Sequence, residues 1–396
     1  MNPLLQRLQP YPFERLKQLF STVSPCAKYA PISLGIGEPR HATPQLVLDA
    51  LASSTEALSS YPATAGLPAM RQSCANWIQR RYGLTLNPDT QILPINGSRE
   101  ALFAFAQTVV DSSKSGATVV CPNPFYQIYE GAALLAGAQT YYAPSDPALN
   151  FNVDWSKVPE SVWKTTQLLF VCSPGNPTGS VMPLADWKTL FDLSDRYGFV
   201  IASDECYSEI YFREEAPLGG LEAAHKLGRT DYKNLIAFTS LSKRSNVPGM
   251  RSGFVAGDVA LLKQFLLYRT YHGSAMSGMV QAASIAAWND EAHVVANRDM
   301  YRQKFAAVTP LLAQVLDVKL PDAGFYLWAA VPGGDDQGFA RDLLAQYNVT
   351  VLPGSFLARE SQGFNPGAGR IRMALVAETQ ECMQAAQRIV EFVQHL

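Results

Sequence analysis

The sequence has little that would mark a metal site, a disulfide framework or a membrane protein. Its six cysteines are scattered along the chain, and no two of them form a CxxC pair. This distribution argues against a zinc site or structural disulfides and fits a reducing compartment, for which we expect the cytoplasm. No window reaches the roughly eighteen uncharged apolar residues of a membrane span. The N-terminus has no apolar core of signal-peptide length.

The chain also lacks an excess of charge of either sign. Its 32 basic and 34 acidic side chains leave a formal net charge of −2. That balance gives no electrostatic reason to expect nucleic acid or an anionic membrane as a partner. Hydrophobic residues make up 47% of the 396 positions and charged residues 17%, as in a well-buried globular enzyme.

The order of apolar patterns predicts the fold class. Short apolar runs alternate with helical patterns through the middle of the chain, which predicts an α/β layer structure with a mostly parallel sheet. Towards the C-terminus the pattern changes to long helices with a few strands, including predicted strands at 315–320 and 349–352. We therefore expect a large α/β domain over 46–288 and a small α+β domain over 289–396. Residues 1–45 would form an arm and part of the small domain.

One lysine stands in an unusual setting. Lys243 lies on a Ser- and Gly-rich stretch between two apolar runs that are typical of buried strands, and Arg251 follows eight residues later. A surface turn with two incidental cations would give the same pattern. The place also suits an amine that must be held beside a phosphate, so Lys243 is a candidate for the Schiff-base lysine of a pyridoxal-phosphate enzyme.

Polar side chains follow four of the predicted strands at the points where the strands end. Each has an ordinary explanation as a turn former or helix cap. In an open α/β sheet, however, ligands bind at the carboxyl ends of the strands, so we expect these residues to share one site. They are Ser98 and Arg99, Asn176 in SPGNPTG, Asp204 and Tyr207, and Ser240, Ser242 and Lys243.

This set matches the needs of pyridoxal phosphate. A buried carboxylate keeps the ring nitrogen protonated, and Asp204 is the candidate for it. Asn176 and Tyr207 suit the phenolic oxygen as hydrogen-bond donors, and either Tyr126 or Phe125 would cover the ring face. The phosphate needs backbone N–H groups, hydroxyls and a fixed cation, for which the candidates are Ser98, Arg99, Ser240, Ser242 and Arg251.

The chain resembles the fold-type I, class I/II aminotransferases of the aspartate aminotransferase family over nearly its whole length. The matching motifs are YPATAGLPAMR (61–71), NGSREAL (96–102), SPGNPTG (173–179), SDECYSE (203–209), SLSKRSNVPGMRSGF (240–254) and RIRMAL (370–375). The resemblance implies a fold with a mostly parallel sheet in the large domain, pyridoxal phosphate as the cofactor, and Lys243 as both imine former and proton shuttle.

The resemblance also implies further residue roles. Tyr61 would reach the cofactor phosphate of a neighbouring subunit, so we expect a homodimer with active sites at the interface. Gly37 would lie near the substrate. Arg372 would clamp the substrate α-carboxylate, with Arg370 as the competing candidate.

The stretches MNPLLQRLQPYPFERL, NPFYQIYEGAALLAGA and YRTYHGSAM are similar to the betaproteobacterial group of N-succinyldiaminopimelate aminotransferases within this family. That resemblance implies amino transfer between glutamate and a succinylated keto acid in lysine biosynthesis. Arg269, Tyr271 and His272 are candidates for binding the succinyl carboxylate. Other substrates of the same family (acetylornithine, aspartate or aromatic amino acids) and a C–S lyase reaction remain open.

Overall fold

Thirteen strands carry the fold, in a computed structural model that describes residues 1–396. In chain order the strands are β1 (Ile32–Ser33), β2 (Ile92–Ile95), β3 (Thr118–Asn123), β4 (Gln139–Asp146), β5 (Asn152–Val153), β6 (Thr166–Cys172), β7 (Val200–Asp204), β8 (Leu235–Ser240), β9 (Gly253–Gly257), β10 (Tyr326–Ala330), β11 (Val349–Thr350), β12 (Leu352–Pro353) and β13 (Arg370–Ala374).

Fourteen α-helices surround these strands, and no helix combines the length and apolar character needed to cross a membrane. They are α1 (Pro12–Leu19), α2 (Gln45–Ala52), α3 (Pro68–Tyr82), α4 (Ser98–Val109), α5 (Ile128–Leu135), α6 (Glu160–Trp163), α7 (Leu184–Tyr197), α8 (Gly220–Lys226), α9 (Leu241–Arg244), α10 (Val259–His272), α11 (Gly278–Asn289), α12 (Ala292–Leu312), α13 (Asp336–Tyr347) and α14 (Thr379–Gln394).

The central sheet has eight strands in the order β2-β9-β8-β7-β6-β3-β4-β5. The five neighbours from β8 to β4 run parallel to one another, whereas β9 is antiparallel to both β2 and β8, and β5 is antiparallel to β4. The predicted α/β class with a mostly parallel sheet is confirmed. Because β2 therefore runs in the same direction as β6, β7 and β8, the carboxyl ends of all four strands lie along one edge.

Helices cover both faces of this sheet, which explains why its central strands are continuous apolar runs. The core on one face contains Trp77, Trp187 and Trp288, and the core on the other face contains Phe105 and Phe238. A strand that is buried on both faces has no solvent-exposed side, so it needs no polar residues at alternate positions. The alternation seen in half-buried strands is therefore absent here.

The C-terminal region has its own sheet and its own core. Strands β10, β13 and β12 form an antiparallel sheet, and the residues buried with it include Tyr301, Phe325 and Ile389. Strand β1, from the N-terminal region, pairs with β11, and Ile32 joins this second core. The domain boundaries at 45/46 and 288/289 remain predictions from the sequence.

Two predicted strands in this region are wrong. Residues 315–320 form no strand, because only Asp317 bridges to Ala330. Residues 349–352 do not form one strand, since β11 pairs with β1 whereas β12 pairs with β13. The sequence shows one apolar run in each place. Which neighbouring strand supplies the hydrogen bonds depends on the tertiary arrangement.

The N-terminal arm packs on the same chain. Leu16 of α1 is buried in a small core with Trp328, Leu352 and Phe356. The Arg15 guanidinium lies 4.1 Å from the centroid of the Phe356 ring. This packing holds the residues at the start of α1 beside the cavity described next.

Candidate active site

A cavity of about 460 Å³ opens at the carboxyl ends of β6, β7 and β8. Twelve of the thirteen residues predicted for the site line it, although they come from widely separated parts of the chain. They are Gly37, Ser98, Arg99, Tyr126, Asn176, Asp204, Tyr207, Ser240, Ser242, Lys243, Arg251 and Arg372.

Lys243 lies on the short helix α9 rather than on the turn that the sequence predicted. Its Nζ donates a hydrogen bond of 3.0 Å to the backbone oxygen of Gly37. Burial lowers the pKa of Lys243 to about 8, and the positive charges of Arg372 and Arg251 act in the same direction. A substantial fraction of this amine is therefore neutral near physiological pH, as a nucleophile or base requires.

Asp204 ends β7, and its carboxylate is buried. It accepts a hydrogen bond of 2.7 Å from the Tyr129 hydroxyl and a longer one of 3.4 Å from the backbone N–H of Cys206. Burial raises the pKa of Asp204, and these two hydrogen bonds oppose the rise. A positively charged N–H placed beside Asp204 would stabilise its ionised form, and a protonated pyridine nitrogen is such a group.

Donor groups suited to an anion lie close together between β2 and α9. Gly97 has a φ of 84°, and a side chain there would collide with the guanidinium of Arg251. The first helical residue of α4 is Ser98, so its unpaired N–H groups point out at this place. Arg251 donates to the Ser242 hydroxyl at 3.4 Å and to the backbone oxygen of Pro248 at 2.8 Å. Backbone N–H groups, hydroxyls and one cation are therefore together, as a phosphate requires.

Arg372, on β13, is almost fully buried and lines the same cavity. Its Nη1 donates to Asn176 Oδ1 at 3.0 Å and its Nη2 to the backbone oxygen of Gly35 at 2.9 Å, while its Nε has no partner. Because Asn176 accepts through its oxygen, its amide nitrogen remains a donor. Arg370 instead lies 4.8 Å from the Phe151 ring centroid and does not line the cavity. Of the two arginines, only Arg372 is positioned to meet a ligand here.

Three tyrosines complete the walls. The hydroxyl of Tyr207 lies 3.0 Å from that of Tyr326, and burial raises the pKa of Tyr207 well above its usual value. Tyr126 lines the cavity and accepts a hydrogen bond of 2.6 Å from Arg99 Nε. Phe125, in contrast, is buried against Tyr142 with ring centroids 5.3 Å apart. Tyr126 is thus the residue available to cover a bound ring.

Four further sequence candidates, besides Phe125 and Arg370, lie outside the cavity. Tyr61 is fully exposed on the single chain. Arg269 is fully buried, and its Nη1 donates to both oxygens of Glu100 at 2.7 and 2.9 Å. This pairing neutralises the charge that a succinyl carboxylate would need, so Arg269 is a structural residue. The Tyr271 side chain is exposed, and His272 lies 3.7 Å from Glu100.

Several cavity residues were missed by sequence reasoning. Tyr11 and Phe13 of the arm, Glu38 and Tyr326 line the cavity, and Tyr129 contacts it through Asp204. Glu38 directly follows Gly37, which the family resemblance places near the substrate. The sequence could therefore have indicated Glu38 as a site residue. The others lie in the arm, in a helix or in a buried strand, where an aromatic residue normally indicates packing.

The residues fit pyridoxal phosphate. The cavity brings together a buried amine, a buried carboxylate without a cationic partner, and a glycine-lined surface for a phosphate. The unpaired Nε of Arg372 and the free amide nitrogen of Asn176 are donors still available to ligands.

Comparison with known proteins gives a consistent result. Residues 30–389 match the family model for aminotransferase class I and II. The chain is 30% identical to the LL-diaminopimelate aminotransferase of Dehalococcoides mccartyi, over 99% of this chain and 98% of the relative. It is 33% identical to that of Aquifex aeolicus, over 90% of each.

Two solved structures are similar as well. An aminotransferase from Neisseria meningitidis superposes with a TM-score of 0.96 at 57% identity, covering 99% of this chain and 100% of that one. A probable N-succinyldiaminopimelate aminotransferase from Thermus thermophilus has a TM-score of 0.83 at 26% identity, covering 96% and 98%.

Proposed function

This chain belongs to the class I and II aminotransferases, a family that depends on pyridoxal phosphate, and we propose that its acceptor is a diaminopimelate-type keto acid in lysine biosynthesis. The specific reaction proposed is amino transfer between glutamate and 2-oxoglutarate on one side and N-succinyl-LL-2,6-diaminopimelate and N-succinyl-2-amino-6-oxopimelate on the other. The observation that carries the amino-transfer chemistry is the convergence of Lys243, Asp204 and Arg372 on one cavity.

The relatives support the substrate class and provide a second candidate. The structure from Thermus thermophilus is named for the succinylated substrate. The curated relatives, at 30 to 33% identity, are named for LL-diaminopimelate itself. The two substrates differ in whether the distal amine is acylated or carries a positive charge.

Each residue has a defined task in the proposed reaction. Pyridoxal phosphate, when bound, supplies an aldehyde that links to an amine and an electron-withdrawing ring that acidifies the adjoining Cα–H bond. Lys243 Nζ takes the proton from the substrate Cα, which its pKa of about 8 allows. Arg372 binds the α-carboxylate and so fixes the direction of that Cα–H bond.

The remaining residues hold the cofactor. Asp204 keeps a proton on the ring nitrogen, and Tyr207 and Asn176 donate to the phenolic oxygen. The phosphate is bound by Arg251 and by the hydroxyl and N–H groups at the start of α4 and α9, which include Ser98, Arg99, Ser240 and Ser242. We propose a cytoplasmic homodimer in which Tyr61 reaches the phosphate of the neighbouring subunit.

A substrate panel tests this proposal. N-succinyl-LL-diaminopimelate, LL-diaminopimelate, acetylornithine, aspartate and phenylalanine are each offered with 2-oxoglutarate, and the glutamate formed is measured. We expect the highest kcat/KM for the succinylated substrate. Preference for LL-diaminopimelate would establish the second candidate. Pyruvate and ammonia from cystathionine, without glutamate formation from any donor, would show a C–S lyase instead.

A further inference from the structure

Three buried polar side chains form a chain of hydrogen bonds that ends at Lys243. Nζ of Lys304, on α12, lies 2.9 Å from Nε2 of His41 and donates to the backbone oxygen of Leu375 at 3.1 Å. Nδ1 of His41 lies 2.9 Å from Oδ1 of Asn297, and Nδ2 of Asn297 donates to the backbone oxygen of Lys243 at 3.4 Å. The exposed fractions of His41, Asn297 and Lys304 are 8%, 2% and 1%. The chain of hydrogen bonds therefore joins α12 to the candidate cofactor lysine through the protein interior.

The direction of each hydrogen bond in this chain is fixed from its Lys243 end. A backbone oxygen only accepts, so the amide nitrogen of Asn297 faces Lys243 and its amide oxygen faces His41. Asn246 donates to the same amide oxygen at 2.9 Å. Nδ1 of His41 therefore carries the proton, and Nε2 accepts from Lys304. Burial lowers the pKa of His41, and the charge of Lys304 acts in the same direction, which favours the neutral ring.

The segment that contains His41 also contacts the other end of Lys243. Gly37 precedes His41 in this segment, and its backbone oxygen accepts the hydrogen bond from Lys243 Nζ. Thr43, which follows His41, donates to the backbone oxygen of Asn246 at 3.2 Å. Because α9 has only 4 residues, it forms few hydrogen bonds of its own. The position of Lys243 therefore depends on contacts from outside its helix.

We infer that His41 is a positioning residue for Lys243, which it holds through Asn297 and through the backbone of its own segment. This inference rests on the proposed function, because it takes Lys243 as the amine that links to pyridoxal phosphate. The link forms when the amine condenses with the cofactor aldehyde and releases water, so the amine must be held within reach of the aldehyde carbon. His41 itself does not line the cavity, so its effect on the link is indirect.

Two substitutions of His41 separate its two hydrogen bonds. An asparagine amide nitrogen can take the place of Nδ1, so His41→Asn keeps the donor to Asn297 and loses the contact with Lys304. A glutamine amide oxygen can take the place of Nε2, so His41→Gln keeps an acceptor for Lys304 and loses the donor to Asn297. Both variants keep a polar group in the buried site, and neither has a tautomer that Lys304 must set.

The test is a ratio of two affinities measured on the cofactor-free protein. The analogue 4-deoxypyridoxine phosphate has the ring and phosphate of pyridoxal phosphate but a methyl group in place of the aldehyde, so it cannot link to Lys243. Calorimetry gives the Kd of each ligand, and wild type should bind pyridoxal phosphate more tightly. We expect His41→Gln to lower this preference by about three- to tenfold, the value of one neutral hydrogen bond, and His41→Asn to stay within about twofold of wild type.

A general loss of structure predicts another result. A loosened cavity binds both ligands less tightly, so an unchanged ratio in His41→Gln overturns the inference. An equal fall of the ratio in His41→Asn also overturns it, because that variant keeps the contact with Asn297. Ser194→Ala, which loses a buried hydrogen bond to the backbone oxygen of Phe199, is the control and leaves the ratio unchanged. If wild type itself shows no preference for pyridoxal phosphate, it is the proposed function that has failed.

A double-mutant cycle tests the route through Asn297. Asn297→Ala removes the donor to the backbone oxygen of Lys243, and we expect it to lower the same preference about as much as His41→Gln does. Because both substitutions break one chain of hydrogen bonds, the double variant should fall no further than the single variants. Two fold-changes that multiply in the double variant would show that His41 does not act through Asn297.

Discussion

Burial gives single side chains of this cavity their chemical character. A lysine in water is almost entirely protonated at neutral pH, whereas the low-dielectric surroundings of Lys243 lower its pKa to about 8. The same effect raises the pKa of Asp204, and the Tyr129 hydroxyl works against that rise. The reactivity of Lys243 and Asp204 therefore depends on their positions in the cavity and not on unusual residue types.

The lowered pKa of Lys243 predicts a pH-dependent stability difference in the cofactor-free protein. Between about pH 8 and pH 10.5 the unfolded chain holds a proton at this amine that the folded chain has released. The free energy of unfolding therefore rises with pH relative to Lys243→Met, by about 3 kcal/mol at most. Urea denaturation of both cofactor-free proteins measures the difference. Parallel pH profiles would show that the folded-state pKa is not lowered.

The contact between Tyr129 and Asp204 predicts an effect on catalysis. In Tyr129→Phe the carboxylate loses its shortest hydrogen bond, so the pKa of Asp204 rises and its ionised form holds the ring proton less well. We expect kcat to fall about tenfold and the affinity for pyridoxal phosphate to fall with it. Tyr142→Phe, which loses a hydrogen bond to Glu130 instead, is the matched control. Equal kcat values in the two variants would show that the hydrogen bond from Tyr129 to Asp204 does not support catalysis.

Sequence reasoning succeeded with residues at strand ends and failed with residues brought in by packing. Asp204 ends the apolar strand β7 and Asn176 lies four residues after the end of β6, so their place in the site follows from the sheet architecture. Tyr129 lies inside α5 and meets Asp204 only because α5 packs on that face of the sheet. No local pattern distinguishes it from a core tyrosine.

At the scale of elements, the C-terminal end of α10 carries a buried ion pair that its sequence did not reveal. Its sequence, rich in cationic and aromatic residues, suggested substrate contacts at 269–272. Arg269 instead ties this segment to α4 and β2, through Glu100, Asn96 and Ser274. The segment therefore stabilises the start of α4, on which the phosphate surface depends.

This arrangement predicts a stability effect without a substrate effect. Arg269→Met leaves Glu100 without its buried partner and should lower the free energy of unfolding by about 3 kcal/mol. KM for the substrates should stay within about twofold of the wild-type value, since removing one partner of a buried ion pair acts on folding. Lys263→Met, which removes a cation at an exposed position of the same helix, is the matched control. A large rise in KM with an unchanged free energy of unfolding would indicate instead that Arg269 binds the substrate.

At the scale of the whole molecule, the fold class was predictable but the connection between distant segments was not. The alternation of strands and helices, with the motifs at the strand ends, indicated the fold and the cofactor. The pairing of β1 with β11 joins residues more than three hundred positions apart. Two-residue strands carry too little pattern to reveal such a partner.

The proposed dimer predicts complementation between two inactive variants. A site in one subunit would use its own Lys243 and the Tyr61 of its neighbour. Mixed dimers of Lys243→Ala and Tyr61→Ala therefore contain one site with both defects and one intact site. After unfolding and refolding together, about a quarter of the wild-type activity should return, because half of randomly paired dimers are mixed. Activity no higher than the mean of the separately refolded variants would show that Tyr61 does not act across the interface.

The central claim is that Lys243 is the lysine that holds pyridoxal phosphate, and borohydride trapping tests it directly. Reduction of the loaded protein converts the lysine–cofactor link into a stable secondary amine, which peptide mass mapping then locates. We predict the pyridoxyl phosphate mass on Lys243, with the fully buried Lys304 unmodified. Modification at Lys304 or at any other lysine, or no modification of a protein that transfers amino groups, would contradict it.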